Sequence, residues 1–393
     1  MFLRQILKLN RLNQAGKCIN IVTTRNLVNH SVIVSTSLNI YHNLALEDWL
    51  FENTNLKQES VLLMWRDSPC VVIGRHQNPW VECNVPYCEL FSVKVARRKS
   101  GGGAVYHDDG NVNVSFITDR SLYNRRANLQ SVVDALADKW AIPLSINDRE
   151  DILIYNKNKV SGTASKLSRD KSYHHFTLLC KADRIRMSSI LHSNMEGVSS
   201  KATKSTPAPV GNLSDHQPNV DFDSVVHVIS EAYIKDRQNL NITNVNPLDE
   251  IMFPGVTKHA EELMTWGWIY GKTPHFTIQR TFTYTASDSD ESVLNVSLTV
   301  GKGRICNVEL TTVHCPEIDA QYFLQLKGCI EGIVFEKDSV LKVLSDVKTK
   351  WIEGRVYEFN TSDYLDWVLW CLIESTGLYS QAGSTDSVKD VPI

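Results

Sequence analysis

The sequence predicts an α+β protein of two domains, and three observations carry that expectation. A chain of 393 residues is long enough to bury two cores. Short apolar or alternating runs at 61–65, 71–74, 105–116, 151–155 and 173–179 read as strands. Between them, 41–51 and 128–140 space their apolar residues three and four apart, as helices with one buried face do.

The elements follow in order. The first 46 residues contain no Asp or Glu, while Arg4, Lys8, Arg11, Lys17 and Arg25 punctuate apolar residues such as Phe2, Leu3, Ile6, Leu7 and Leu12. An acid-free amphipathic leader of this kind, without the unbroken apolar centre of a secretory signal, is expected to be a mitochondrial transit peptide over residues 1–29. Its removal would take away five positive charges and no negative one, moving the formal charge from −3 to −8. A mildly acidic chain without a basic run is a poor nucleic-acid binder. No apolar stretch approaches the ~18–20 residues that span a bilayer, so a soluble protein, with no membrane partner, is expected. No heptad or apolar stripe argues for assembly, and a monomer is expected.

After the helix at 41–51 come a strand at 61–65, a turn at Asp67-Ser68-Pro69 and a strand at 71–74 that runs into the polar corner Arg75-His76-Gln77-Asn78-Pro79-Trp80. The next stretch is Arg97-Arg98-Lys99-Ser100-Gly101-Gly102-Gly103-Ala104-Val105-Tyr106-His107-Asp108. Three adjacent glycines leave a backbone that a ligand can lie directly upon, and their N–H groups can be aimed at an anion. The arginines beside them could fork a phosphate or carboxylate. No Gly-Lys-Ser/Thr follows, which excludes a Walker A loop, and Gly-x-Gly-x-x-Gly spacing is absent. The residues alone fit either a loop for a phosphate-bearing, nucleotide-like ligand or a flexible hairpin with basic neighbours. Asp109-Gly110 then reads as a tight turn between strands.

Leu129, Val132, Val133, Leu136 and Trp140 mark the face of the helix at 128–140. Asp151-Ile152-Leu153-Ile154-Tyr155 reads as a strand, Asn156-Lys157-Asn158 as its turn and Lys159-Val160-Ser161-Gly162-Thr163-Ala164 as the return. In the strand Tyr173-His174-His175-Phe176-Thr177-Leu178-Leu179 the two histidines point to opposite faces, which makes a poor two-ligand metal site. One is expected buried and the other exposed. Residues 196–219, rich in Ser, Thr, Gly and Pro, have linker composition. Beyond them, strands are expected at 282–285, 293–300 and 305–310 with a turn at Gly301-Lys302-Gly303, and helices at 324–333 and 340–347. The tail, including 367–373, shows no chemistry.

Nine cysteines, Cys18, Cys70, Cys83, Cys88, Cys180, Cys306, Cys315, Cys329 and Cys371, are dispersed without Cys-x-x-Cys spacing, so neither a zinc site nor a thioredoxin-type motif is indicated. An odd, scattered set suits a reducing compartment.

Several of these strings together resemble the lipoate-protein ligase and lipoyltransferase family. The Arg97–Asp108 run is similar to its Arg-Arg-x-Ser-Gly-Gly-Gly loop, Gly74-Arg75-His76-Gln77-Asn78 to its Gly-Arg-x-Gln-Asn corner, and Lys159-Val160-Ser161-Gly162-x-Ala164 to its Lys-x-Ser-Gly-x-Ala strand. Tyr41 to Phe51 resembles its Asn-Leu-Ala-x-Glu helix, His174-His175 its His-His-x-Thr-Leu-Leu strand, and Trp266 to Phe276 the Trp-x-Trp-x-x-Gly start of its C-terminal domain. The resemblance, over roughly residues 39–345, implies a biotin/lipoate-ligase-like catalytic domain at 30–245, with mixed sheets flanked by helices, and a small α+β accessory domain at 246–393. It moves Ser205 to Leu213 from linker to a flap near the nucleotide.

The implied substrate is lipoyl-AMP, or lipoate, and the implied product an amide on a lysine of a lipoyl domain. Lys159 would touch the acyl carbonyl and the phosphate. Arg98, Ser100, Gly101, Gly102, Gly103, Val105 and Tyr106 would form the loop over the ligand. Asn113, Asp151, Ser161, Gly162, Thr163, Ala164 and His175 would lie near the nucleotide and chain, and Gly74, Arg75 and Gln77 at the dithiolane end. No metal ligand is implied. Burying an eight-carbon chain at ~0.8 kcal/mol per CH2 calls for an apolar tunnel. With the transit-like leader, this favours a transferase of the mitochondrial matrix acting on acyltransferase subunits of 2-oxoacid dehydrogenases, with glycine cleavage H protein as a possible donor. The alternatives are a full ligase using ATP and Mg2+, and a non-catalytic lipoyl-domain-binding protein. Biotin ligases carry a different glycine loop, and octanoyltransferases rely on a Cys for which only Cys180 offers a loose match.

Overall fold

The computed structural model describes residues 29–235, 242–285, 291–313, 320–353 and 359–378, so the expected leader up to residue 28, Cys18 and Cys315 lie outside the described residues. Contacts group the chain into two compact units. Among the described residues, one comprises residues 29–67, 110–181 and 211–261, the other residues 68–109, 182–210 and 262–378.

The first unit is built on a six-stranded mixed sheet in the order Ser161–Leu167, Lys171–Leu179, Asn111–Asp119, Glu59–Trp65, Asn29–Ser35 and Ile242–Val245. The first four strands pair antiparallel and the last two join in parallel. Side chains alternate across a strand, so each strand sorts its residues onto two faces. One face sends Val32, Val34, Leu62, Met64, Val112, Val114, Phe116, Phe176 and Leu178 into a core with the helices Arg125–Trp140 and Phe222–Ile234. The other face is covered by the helix Ile40–Asn53, which begins at Asn39, whose side chain accepts from the Tyr41 N–H.

That helix is buried on nearly every side, polar residues included. Its buried polar groups are therefore paired. Asn43 Nδ2 donates to Asp67 at 2.7 Å, Glu47 holds His175 Nδ1 at 2.8 Å, and Asp48 takes His259 at 3.1 Å and Lys166 at 3.3 Å.

Two expectations are corrected here. His174 and His175 do point to opposite faces, yet both are buried, because the sheet is covered on both sides. The return strand expected at 159–164 is also broken. Asn158–Lys159 pairs with Ile152–Ile154 in a separate three-stranded sheet, while Ser161–Leu167 joins the large one, with fully buried Val160 between. Tyr155 and Asn156 turn this hairpin at φ of 56° and 54°, placing the turn one residue earlier than the sequence suggested.

In the second unit Cys70–Ile73 lies between Lys94–Arg97, in parallel, and Val105–His107, antiparallel. The same unit holds a four-stranded sheet in the order Val198–Ser200, Phe276–Thr285, Glu291–Gly301 and Arg304–Val313, all antiparallel. The helices Ala320–Ile330, Lys337–Glu353 and Phe359–Thr376 follow. The expected turn has Lys302 and Gly303 at positive φ. The tail supplies a core helix whose Tyr364, Trp367, Val368, Leu369 and Leu372 are buried. Among the described residues no helix is long and apolar enough to cross a membrane.

His174 gives this fold a pH signature. Burial, with Arg125 and His175 adding to it, lowers its pKa from 6.5 to about 3, so the native state keeps the ring neutral while the unfolded chain protonates it. Stability should therefore rise with pH between about 3 and 6.5, by up to ~1.4 kcal/mol per unit, and be insensitive to this group above that window. Denaturant titrations at several pH values should show the slope, and His174→Gln should flatten it.

Candidate active site

The glycine loop is set up by two arginines that have separate tasks. Arg97 is 1% exposed. Its guanidinium donates to the carbonyls of Gly74 (3.2 Å), Arg75 (3.0 Å), Gln77 (2.8 Å), Trp268 (3.1 Å) and Ile269 (2.8 Å) and to Thr273 Oγ1 (3.0 Å). Trp268 Nε1 returns a bond to the Arg97 carbonyl at 2.7 Å. Burial draws the Arg97 pKa down to about 10. Its charge is thus consumed inside the protein, where the sequence had suggested a cation beside the ligand.

Arg98 grips the loop itself. Its Nη2 donates to the Gly101 and Gly103 carbonyls at 2.6 and 2.7 Å, Nη1 to Val72 at 2.9 Å and Nε to Ser100 Oγ at 3.0 Å. With those carbonyls tied down, the N–H groups of Gly101, Gly102 and Gly103 have no protein acceptor among the described residues. A row of unspent backbone donors on a glycine turn is a nest for an anion.

Gly102 sits at φ 90°, a conformation that glycine adopts without strain. Gly74 is needed for closeness, since a Cβ there would stand 2.2 Å from the Gly102 carbonyl oxygen. Nothing lies within 4 Å of a Cβ built on Gly101, so that side of the loop is open.

Ser205 closes the far end. Its Oγ accepts from the Ala104 N–H at 2.8 Å and from Gln77 Nε2 at 3.1 Å, and donates to Glu82. Glu82 also receives the Ser205 N–H, and Gln77 Oε1 accepts from the Gly74 N–H at 2.8 Å. The buried Tyr106 hydroxyl and Asn78 Nδ2 in this unit have no protein partner among the described residues. The Arg75 side chain is exposed, and its N–H donates to the Ser100 carbonyl at 2.9 Å.

The remaining site candidates belong to the first unit. Lys159 stands where the hairpin leaves for the large sheet, its Nζ 2.7 Å from Asp151 Oδ1 and its side chain 23% exposed. Asn147 Oδ1 accepts the Asp151 N–H at 2.9 Å, which fixes the carboxylate's backbone, and the Gly211 N–H donates to the Lys159 carbonyl at 3.0 Å. Asn113, Gly162, Ala164 and His175 share the face under the Ile40–Asn53 helix, Asn113 donating to Asp67 at 3.1 Å. The structure does not bring all candidates to that face. Thr163 Oγ1 meets His174 Nε2 at 2.6 Å on the opposite side, and Ser161 Oγ accepts the Ile152 N–H at 2.7 Å.

Cys180 is fully buried, and burial pushes its thiol far above the usual range. Sequence reasoning did not single out Glu82, Ser205, Asp67 or Glu47. Asp67, Glu47 and Ser205 lay inside strings that it quoted, but nothing in one dimension pairs Glu82 with Ser205, 123 positions away.

Gly74→Ala should destabilise the protein by ~1–3 kcal/mol, because the methyl group meets backbone that cannot move aside, whereas Gly101→Ala should leave thermal stability nearly unchanged. Thermal unfolding of the two variants side by side checks this.

Comparison with known proteins gives the family. Residues 39–234 match the lipoyl protein ligase A/B catalytic domain. The chain is 42% identical over 285 residues to human (Homo sapiens) mitochondrial lipoyl amidotransferase LIPT1, covering 72% of this chain and 76% of that protein. It is 37% identical to the lipoate-protein ligase A of Psychrobacter cryohalolentis, covering 63% and 74%. The structure of P. falciparum LipL1 in complex with lipoate is 25% identical with a TM-score of 0.55, covering 88% of this chain and 100% of that one. A lipoate-protein ligase A bound with ATP shares the fold at 21% identity and a TM-score of 0.51, over 63% and 100%. A mixed α+β fold, the glycine loop and the Lys159 strand thus meet in one chain, and that chain belongs to the lipoyl protein ligase A/B family.

Proposed function

We propose that this protein is a lipoyltransferase, forming an amide between a lipoyl group and a lysine of a lipoyl domain. The observation that carries the proposal is the glycine loop, whose carbonyls are tied to Arg98 while three successive N–H groups remain unspent. Such donors suit the phosphate of lipoyl-AMP, and 42% identity to a lipoyl amidotransferase supports the acyl group and the acceptor.

In the reaction the acceptor amine attacks the acyl carbon, a C–N bond forms, the bond from acyl carbon to phosphate oxygen breaks, and AMP leaves with the electron pair. The amine gives up its proton. Negative charge develops on the carbonyl oxygen and then on the phosphate, and preorganised donors lower that barrier. Lys159, oriented by Asp151, is the cation proposed to meet both. Asn113, Gly162, Ala164 and His175 would line the acyl chain, and Gly74 and Gln77 would hold the corner beneath the loop. Residues 30–245 are proposed as the catalytic domain and 246–393 as the accessory domain.

The relatives named mitochondrial support the same compartment. Lipoyl domains of 2-oxoacid dehydrogenase subunits are proposed as acceptors and lipoyl-AMP or lipoylated H protein as donor. The in-family alternative is a full ligase, for which Mg-ATP and lipoate would be substrates.

Purified protein should lipoylate an acceptor domain from lipoyl-AMP or lipoylated H protein and give no product from lipoate with Mg-ATP. Product from lipoate with Mg-ATP would make it a ligase, and silence with all donors would refute transfer. Lys159→Met should lower kcat by ~10²–10³-fold, the worth of one transition-state electrostatic donor, while leaving acceptor binding intact. Intact-mass measurement of the acceptor reads both.

A further inference from the structure

The face of the large sheet beneath the Ile40–Asn53 helix has a rung that carries an unpaired hydroxyl. Register places Leu63, Ser115, His175 and Ala164 side by side across four strands. Ser115 is 0% exposed, and its hydroxyl has no hydrogen-bond partner among the described residues. Its neighbours in the strand, Val114 and Phe116, lie in the opposite core, so Ser115 faces the helix side. His175 beside it is fixed in orientation by Glu47. Ala164, on the far side of His175, has only a methyl group to fill its place in the rung.

A buried hydroxyl left unpaired costs ~1–3 kcal/mol, so such a group persists where something other than the protein completes it. Beyond its carbonyl, a lipoyl chain carries only two polar atoms, the sulfurs of a cyclic disulfide. Sulfur is a weak acceptor that suits a single O–H donor. Leu63 and Ala164 supply apolar walls for the methylenes around it.

Resting on the lipoyl-transfer reading, we propose that the dithiolane lies at Ser115, in place of the Gly74–Gln77 corner expected from the sequence, and that Ser115 determines acyl specificity by donating its hydroxyl proton to a dithiolane sulfur. The site thereby tells a lipoyl group from a straight eight-carbon acyl chain that lacks sulfur. His175, oriented by Glu47, acts as the rigid wall that presents the ring to Ser115.

The test compares kcat/KM for lipoyl-AMP and octanoyl-AMP, with the same acceptor domain, in the wild type, Ser115→Ala and Ser115→Thr. Ser115→Ala should lose about 3- to 10-fold with lipoyl-AMP, the value of one hydrogen bond, and stay unchanged with octanoyl-AMP. Ser115→Thr, which keeps the hydroxyl, should retain the wild-type ratio. Equal losses with both donors, or no loss with either, would overturn the assignment and make Ser115 a water-bound or packing residue. A wild type that transfers from neither donor would instead refute the lipoyl-transfer reading, and this proposal with it.

Discussion

A guanidinium enclosed by carbonyl oxygens is the interaction on which the glycine loop depends. Backbone with three glycines has many conformations, and fixing one costs entropy at every residue. Arg98 offsets that cost through charge-assisted bonds to the two carbonyls that flank Gly102. Arg97, one residue earlier and pointing elsewhere, joins the corner at Gly74, Arg75 and Gln77 to the Trp266–Ile269 helix and Thr273. A Lys at either position would reach one or two of these oxygens as a point charge, without the fork that spans them. The loop is rigid because its cations face inward, and its anion-binding capacity then rests on backbone N–H groups.

Covering the large sheet on both faces has a comparable reach. It removes water from His174, His175, Glu47, Asp48, Asp67, Asn111, Asn113 and Ser115 at once. Such groups are affordable inside a protein only when they pair. Most do: Glu47 with His175, Asp48 with His259 and Lys166, and Asp67 with Asn43, Trp65 and Asn113. The exceptions on this face, Ser115 Oγ and Asn111 Oδ1, lie on one strand with Asn113 between them.

Much of the site was legible one residue at a time. The strand periods, the turn at Asp109-Gly110, the glycine run and the opposed histidines all depend on local chemistry, and they stand where the sequence put them. The misreadings share one cause. Two adjacent histidines say nothing about what packs on either side of their strand, so the exposure expected for one of them gave way to a helix supplied from residues 40–53. The return strand breaks at Val160 because Leu153 takes Lys159 and Leu178 takes Ser161 as partners, and pairing across sheets has no signature along the chain.

By itself, the sequence determined which residues could bear the chemistry: glycines where backbone must approach a ligand, a lysine at the end of a hairpin, and strands whose alternation sorts side chains onto two faces. Only the tertiary structure decided how those capacities are used. Whether an arginine meets a ligand or a carbonyl, and whether a serine is paired or left open, depends on groups dozens to hundreds of positions away, such as Trp268 for Arg97, Glu82 for Ser205 and the Ile40–Asn53 helix for Ser115. Hydrogen bonds require contact within about 3 Å, and folding alone sets those distances.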